Sequence, residues 1–276
     1  WIGSDCGVLM LEDLLPLRGK NAERIRLVLK IPRGWTILTT EKRSADDGFE
    51  IDDPDNAVFM IGRELQTGSV SRTDEGFALD IGSSGKWHFT IPEALGMAEP
   101  ILSEYQKAFR GGEFKNVRVN ILPFPRPTEF GTWQAETRGN TVTIVSSDMA
   151  FRTQSVQRLN EQLRHELFHI WLPNGVNLTG NYDWFYEGFA LYQSLKTGVA
   201  LNRISFGDML STLSRAYAID KRQTRRTSML EASQNRWSRN TELYARGLLI
   251  AFMCDAAMLD ASGGKRQVSE VFREIY

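Results

Sequence analysis

Cysteine is scarce in this chain: Cys6 and Cys254 are the only two among 276 residues. Two thiols so far apart exclude a disulfide framework and are expected to be free. They fix no compartment. An excess of charge of either sign is also absent, since 33 basic and 34 acidic side chains leave a net charge of -1. No global field therefore steers the chain toward nucleic acid or an acidic membrane surface. The one basic cluster, Lys221-Arg222-Gln223-Thr224-Arg225-Arg226, reads as a solvated loop or helix face. A long hydrophobic run is missing too. The most apolar stretch, Gly247 to Leu259, is interrupted by Asp255 and is too short to span a bilayer, so a buried core helix is expected there. No initiating Met and no secretory leader precede Trp1-Ile2-Gly3-Ser4-Asp5, as expected of a processed product or a fragment. What is present, 42% apolar residues, suffices for one large domain or two small ones.

Histidine is nearly as sparse, yet two of the three lie in His165-Glu166-Leu167-Phe168-His169. On an α-helix, positions four apart are separated by roughly 40°, one turn up the same face, so both imidazoles can grip one ion. Such a pair can also be a surface pair or a hydrogen-bonded core pair. Glu187 shifts the balance, because it stands in the aromatic run Trp184-Phe185-Tyr186-Glu187-Gly188-Phe189-Ala190, where an unpartnered carboxylate would be costly to bury. Two imidazoles and a carboxylate suit Zn²⁺, and three protein ligands leave a fourth position for water. Glu166, beside the first ligand, can reach that water without binding the metal, the place of a general base. His88 falls in a strand-like segment and reads as an ordinary strand histidine.

The first part of the chain is patterned for strands: Ile25 to Ile31, Trp35 to Thr39, Ala57 to Ile61, Phe77 to Ile81 and Lys86 to Thr90, separated by Gly, Asp, Ser and Pro. A helix is predicted from Pro92 to Phe109 with Gly111-Gly112 as its stop, then a strand from Asn116 to Leu122. Thr132 to Val145 should form a hairpin or edge strand turning at Arg138-Gly139-Asn140. Gln154 to Trp171 carries Leu159, Leu163, Leu167 and Ile170 on one stripe and predicts a helix ended by Pro173-Asn174-Gly175. A second helix should run from Asp183 as N-cap to Gly198, with Glu187 in its first turn, and the remainder reads as helical.

The two motifs together resemble the gluzincin metallopeptidases, and within them the glycyl aminopeptidase family. Pro32-Arg33-Gly34-Trp35, Glu231-Ala232-Ser233 with Trp237, and Tyr244-Ala245-Arg246-Gly247-Leu248-Leu249-Ile250-Ala251 resemble segments of that family in the same order. The resemblance implies an α+β fold, with a β-rich N-terminal domain over residues 1–90 and a thermolysin-like, mostly helical catalytic domain over 91–276. It implies zinc held by His165, His169 and Glu187, hydrolysis of peptide substrates with Glu166 as base, and Tyr244 as hydrogen-bond donor to the oxyanion. Arg246 stands where the wider group has Lys. Family members commonly continue into a PDZ domain. Aminopeptidases of the group hold the substrate amine with a Gly-x-x-Glu-type strand. Here Gly131-Thr132-Trp133-Gln134-Ala135-Glu136 offers Gln134 at that place and Glu136 two residues on. Leu172-Pro173 replaces an Asn and a basic segment. Two other functions share this chemistry: a catalytically altered gluzincin serving as a peptide-binding scaffold, and a zinc hydrolase of a non-peptide bond.

Overall fold

The computed structural model describes residues 1–15, 25–109, 115–147, 149–176, 178–223 and 227–276, with backbone alone at 236–240. Gly111-Gly112, Arg225, Arg226 and the Trp237 side chain lie outside the described set. The chain is a mixed α and β protein in two compact units, Trp1–Glu99 with Glu113–Gln162 and Pro100–Gly112 with Leu163–Tyr276.

The first unit holds all the described strands: β1 (Cys6–Met10), β2 (Ile25–Leu27), β3 (Thr36–Leu38), β4 (Lys42–Arg43), β5 (Phe49–Ile51), β6 (Val58–Gly62), β7 (Gln66–Arg72), β8 (Phe77–Ser83), β9 (Lys115–Pro123), β10 (Trp133–Arg138) and β11 (Thr141–Ser146). A short helix, α1 (Leu11–Leu14), follows β1. Three-stranded sheets run β1-β6-β3 and β2-β5-β4. Strand alternation explains why β6 is buried along its whole length. Val58 and Met60 point into one cluster with Val8, Met10 and Leu122, while Phe59 points into another with Leu11, Phe49 and Ile51.

The five-stranded sheet has the order β10-β11-β9-β8-β7 and joins strands on both sides of residue 90. Its inner strands β8, β9 and β11 are parallel, and β10 returns antiparallel as an edge. One face is apolar, with Leu79, Ile81, Val117, Val119, Ile121, Val142 and Ile144 all buried. The hairpin β10–β11 turns at Gly139, whose φ of 52° suits glycine.

One expectation changes here. Lys86 to Thr90 is not a strand. Thr90 and Glu93 form a reciprocal cap, with Thr90 N–H donating to Glu93 at 2.8 Å and Glu93 N–H donating to Thr90 at 3.3 Å, so the segment becomes the entry to α2 (Ile91–Ala108). Trp87 and Phe89 stack at 5.7 Å, and His88 is left exposed.

The second unit takes the later part of α2 and the end of α3 (Arg152–Glu166), which continues through a 3₁₀ turn at Leu167–Ile170. After these come α4 (Asp183–Ala200), α5 (Phe206–Lys221), α6 (Met229–Gln234), α7 (Arg236–Ala261) and α8 (Ser269–Ile275). Their core is aromatic. Phe109 stacks on Trp171 at 5.5 Å and on Phe272 at 5.7 Å, and Tyr105, Phe168, Phe189 and Tyr276 close around them.

The apolar stretch Gly247 to Leu259 corrects its expectation, because α7 turns Leu248, Ala251 and Asp255 inward while Met253 and Cys254 are exposed. The 3.6-residue stripe, not composition, decides which residues are buried. Asp255 is the polar member of that stripe, accepting from Tyr192, Lys196 and the backbone of Val268, each at 2.7 Å. Both cysteines are free, and among the described residues no helix is long and apolar enough to cross a membrane.

Candidate metal centre

His165, Glu166 and His169 are delivered by one helical stretch that changes pitch between them. α-Helical bonding ends at Glu166, and the tighter 3₁₀ turn carries His169. The predicted uninterrupted helix to Trp171 is thus corrected. Pro173 has no N–H and disfavours a helical Leu172 before it, so the helix cannot continue and its last turn tightens. Leu167, Phe168, Ile170 and Trp171 are all buried, and this fixes the opposite side of the turn for His169.

The helix is anchored by Arg164, which sequence reading passed over. Its Nη1 donates to the Ser194 carbonyl of α4 at 3.1 Å, and the Tyr105 hydroxyl donates to the Arg164 carbonyl. A Cβ at Gly198 would overlap that guanidinium. Gly198 is therefore used for close approach and does not end α4, which runs to Ala200 before Asn202 takes a φ of 54°. The only advance sign of Arg164 was a basic residue on the buried side of a patterned helix.

Glu187 comes from the second turn of α4. Tyr182 opens that helix, its carbonyl accepting from Phe185 N–H at 2.8 Å. Asp183 lies inside the first turn and accepts instead from the Tyr186 hydroxyl at 2.7 Å, which corrects its expected place as N-cap. The Trp184 N–H is satisfied by the Ser233 hydroxyl of α6 at 3.1 Å, giving Glu231-Ala232-Ser233 a structural purpose.

The three candidate ligand groups, His165, His169 and Glu187, converge, and all are buried. His165 Nε2 lies 3.1 Å from Glu187 Oε2 and 3.2 Å from His169 Nε2, and His169 Nε2 lies 3.6 Å from Glu187 Oε2. Tetrahedral zinc with bonds of about 2.0–2.1 Å has ligand–ligand edges of roughly 3.3 Å, so this triangle matches one face of a zinc tetrahedron. His169 Nδ1 sits 2.9 Å from the Leu172 carbonyl. A carbonyl only accepts, so Nδ1 carries a proton and Nε2 is the ring atom that faces the triangle, where it can offer a lone pair once the ring is neutral. The departure at Leu172 thus supplies an orienting contact through its backbone.

Charge agrees with geometry. Burial acts upward on Glu187, yet hydrogen bonds from His165 and His169 hold its carboxyl well below the ordinary value. Burial acts downward on His169, but the hydrogen bond and charge of Glu187 prevail, lifting it to about 9. A site that stabilises a carboxylate against two imidazoles is one that welcomes a cation.

Around the triangle, the Tyr244 ring of α7 lies 6.2 Å from that of His165, and the Tyr186 ring lies 6.0 Å from His169. Glu166 is buried beside His165. Tyr186 was not anticipated as a neighbour, though its place beside Glu187 was a usable signal. Gln134 and Glu136 lie on the edge strand β10 of the first unit, both exposed. Glu136 accepts from Arg138 Nε at 2.7 Å, and the same guanidinium pairs with Glu12 and Asp13.

No protein-family model matches the chain, and no curated protein does. Solved structures do. An aminopeptidase N family protein from Idiomarina loihiensis aligns with a TM-score of 0.84 at 17% identity, over 98% of this chain and 52% of that one. An M1 zinc metallopeptidase from Deinococcus radiodurans aligns with a TM-score of 0.61 at 16% identity, over 91% of this chain and 54% of that one. A variant of it bound to a Tyr-Ser-Ala substrate aligns equally well. The chain therefore has the fold of this part of those proteins, and it spans about half their length.

Proposed function

We propose that the chain is the zinc-binding part of a metallopeptidase of the gluzincin type. The observation that carries this reading is the buried triangle of His165, His169 and Glu187 donor atoms at 3.1–3.6 Å. The likeness of its fold to M1 zinc metallopeptidases supports it. Zinc held there would supply Lewis acidity toward a peptide carbonyl and lower the pKa of water. Glu166 accepts the proton of the attacking water and passes it to the leaving amine. Tyr244 donates its phenolic hydrogen to the oxyanion of the tetrahedral species. The finer reading, which rests on the resemblance, is aminopeptidase action with small N-terminal residues preferred and the free amine read by Glu136 with Gln134 beside it.

The test is a peptide-library digest by purified protein after chelation and after restoration of zinc. Hydrolysis that is lost on chelation and returns with zinc is expected. Stoichiometric zinc without cleavage of any peptide would overturn the reading.

A further inference from the structure

We infer that Arg246 is a positioning residue for Tyr244: by tying α7 to Asp220 and Thr227, its guanidinium fixes the rotation of α7 and so the aim of the Tyr244 hydroxyl. The importance of that aim rests on the peptidase reading, whereas the geometry does not. Arg246 Nε donates to Asp220 Oδ1 at 2.6 Å, and Nη1 donates to the Thr227 carbonyl at 2.5 Å. Asp220 lies in the last turn of α5, and Thr227 is a buried residue just before α6. Two acceptors from two places engage one planar fork, so its orientation and its distance are both fixed.

The helix geometry gives that strap its leverage. Tyr244 and Arg246 are two residues apart, about 160° around α7, so they leave it on opposite flanks. Gly247 is about 60° from Tyr244 and meets α4 on the Tyr244 side, where a Cβ at Gly188 would fall 2.5 Å from the Gly247 Cα. At this level contact between two glycines holds the helices close but offers no side-chain ridge to resist turning, and the Asp255 hydrogen bonds to α4 lie about two turns further along α7. The Arg246 strap on the far flank resists that turning. A rotation of about 10° carries a hydroxyl roughly 9 Å from the helix axis through about 1.5 Å. Misplacement on that scale costs on the order of a hundredfold in rate.

The experiment places 3-fluorotyrosine at position 244 and compares Arg246→Lys, Arg246→Met and Asp220→Asn, each confirmed folded and carrying wild-type zinc. The fluorine resonance should shift and broaden in Arg246→Met, and less so in Arg246→Lys, which keeps the charge opposite Asp220. With the natural tyrosine, kcat of Arg246→Met should fall about tenfold or more with KM within about twofold. In a Tyr244→Phe background the same change should cost nothing further. An unmoved fluorine resonance in the folded variants, or an equal fold-loss in both backgrounds, would overturn the inference. If wild-type protein cleaves no peptide, the peptidase reading fails and the fluorine signal still decides the positioning role. If Arg246→Met does not fold, Asp220→Asn and Arg246→Lys carry the same comparison.

Discussion

Gly188 and Gly247 touch backbone to backbone where α4 crosses α7. A Cβ at Gly188 would lie 2.5 Å from the Gly247 Cα, and one at Gly247 would lie 2.9 Å from the Gly188 Cα and 2.8 Å from the Trp184 carbonyl oxygen. Glu187 immediately precedes one glycine, and Tyr244 stands three residues before the other. The crossing therefore sets how far the ring of Tyr244 stands from the histidine–carboxylate triangle.

Alanine at either glycine should force the helices apart. Helix propensity alone would favour Gly→Ala by about 1 kcal/mol. Overpacking against backbone, which no rotamer change relieves, costs about 1–3 kcal/mol or more and wins. Gly188→Ala and Gly247→Ala should both lower the thermal midpoint and displace Tyr244, measured by melting and by fluorine NMR at position 244. A raised midpoint would show that the crossing has slack.

Zinc should bind at about one per chain, as a single three-ligand site requires. His169→Ala should lose it, because Nε2 of that ring forms one vertex of the triangle. Elemental analysis of purified wild-type and variant protein decides the matter, and unchanged metal content in the variant would remove His169 from the ligand set.

Glu166→Gln keeps the size and hydrogen-bonding capacity of a buried side chain but cannot take a proton. Zinc content should stay at the wild-type level while turnover falls on the order of a hundredfold or more. Wild-type turnover by this variant would refute the base assignment, and loss of zinc would make Glu166 structural.

Asp255 should make stability sensitive to acid. Burial pushes its carboxyl upward, but Lys196, the Val268 N–H and the Tyr192 hydroxyl prevail and hold it below its ordinary 3.8. The ionised form is therefore favoured by the fold. Its contribution is complete above the unfolded value and is lost as pH falls through the lower folded one. Asp255→Asn should cost about 3 kcal/mol at pH 7 by leaving Lys196 without its charge partner, and should flatten the acid limb of the stability profile. Denaturant midpoints from pH 7 down to pH 3 measure both effects.

Free and N-acetylated forms of one peptide test amine recognition. If Glu136 reads the ammonium, the free form should be cleaved preferentially, and Glu136→Ala should bring the two rates together. Equal cleavage by the wild-type protein would mean that the chain end is not read. Retention of the preference in the variant would leave Glu136 as a partner of Arg138 only.

The histidine–glutamate triangle was legible because ligand chemistry demands particular residue types and helices fix their spacing. The β10–β11 hairpin was legible because Gly139 punctuates two runs of strand formers. What escaped the sequence depends on facing and on distant partners. Asp255 looked like an interruption in an apolar run, since nothing local reveals that Lys196 and Tyr192 meet it. Gly198 looked like a helix stop until the Arg164 guanidinium was found occupying the space of its missing Cβ. The 3₁₀ turn at His169 escaped notice because an i,i+4 pair reads the same whether or not the intervening pitch tightens.

The aromatic core beneath that turn also imposes an order of assembly. His169 is backed by Phe168 and Trp171, and these pack with Phe109 against Phe272 and Tyr276, which arrive only with α8. The helix bearing both histidines has its own hydrogen bonds between residues close in sequence. Its last turn meets these two partners only after a long stretch of chain has been made, the kind of non-local closure that folds slowly. On the ribosome, the pair of imidazoles would thus exist well before the aromatic packing that backs their turn.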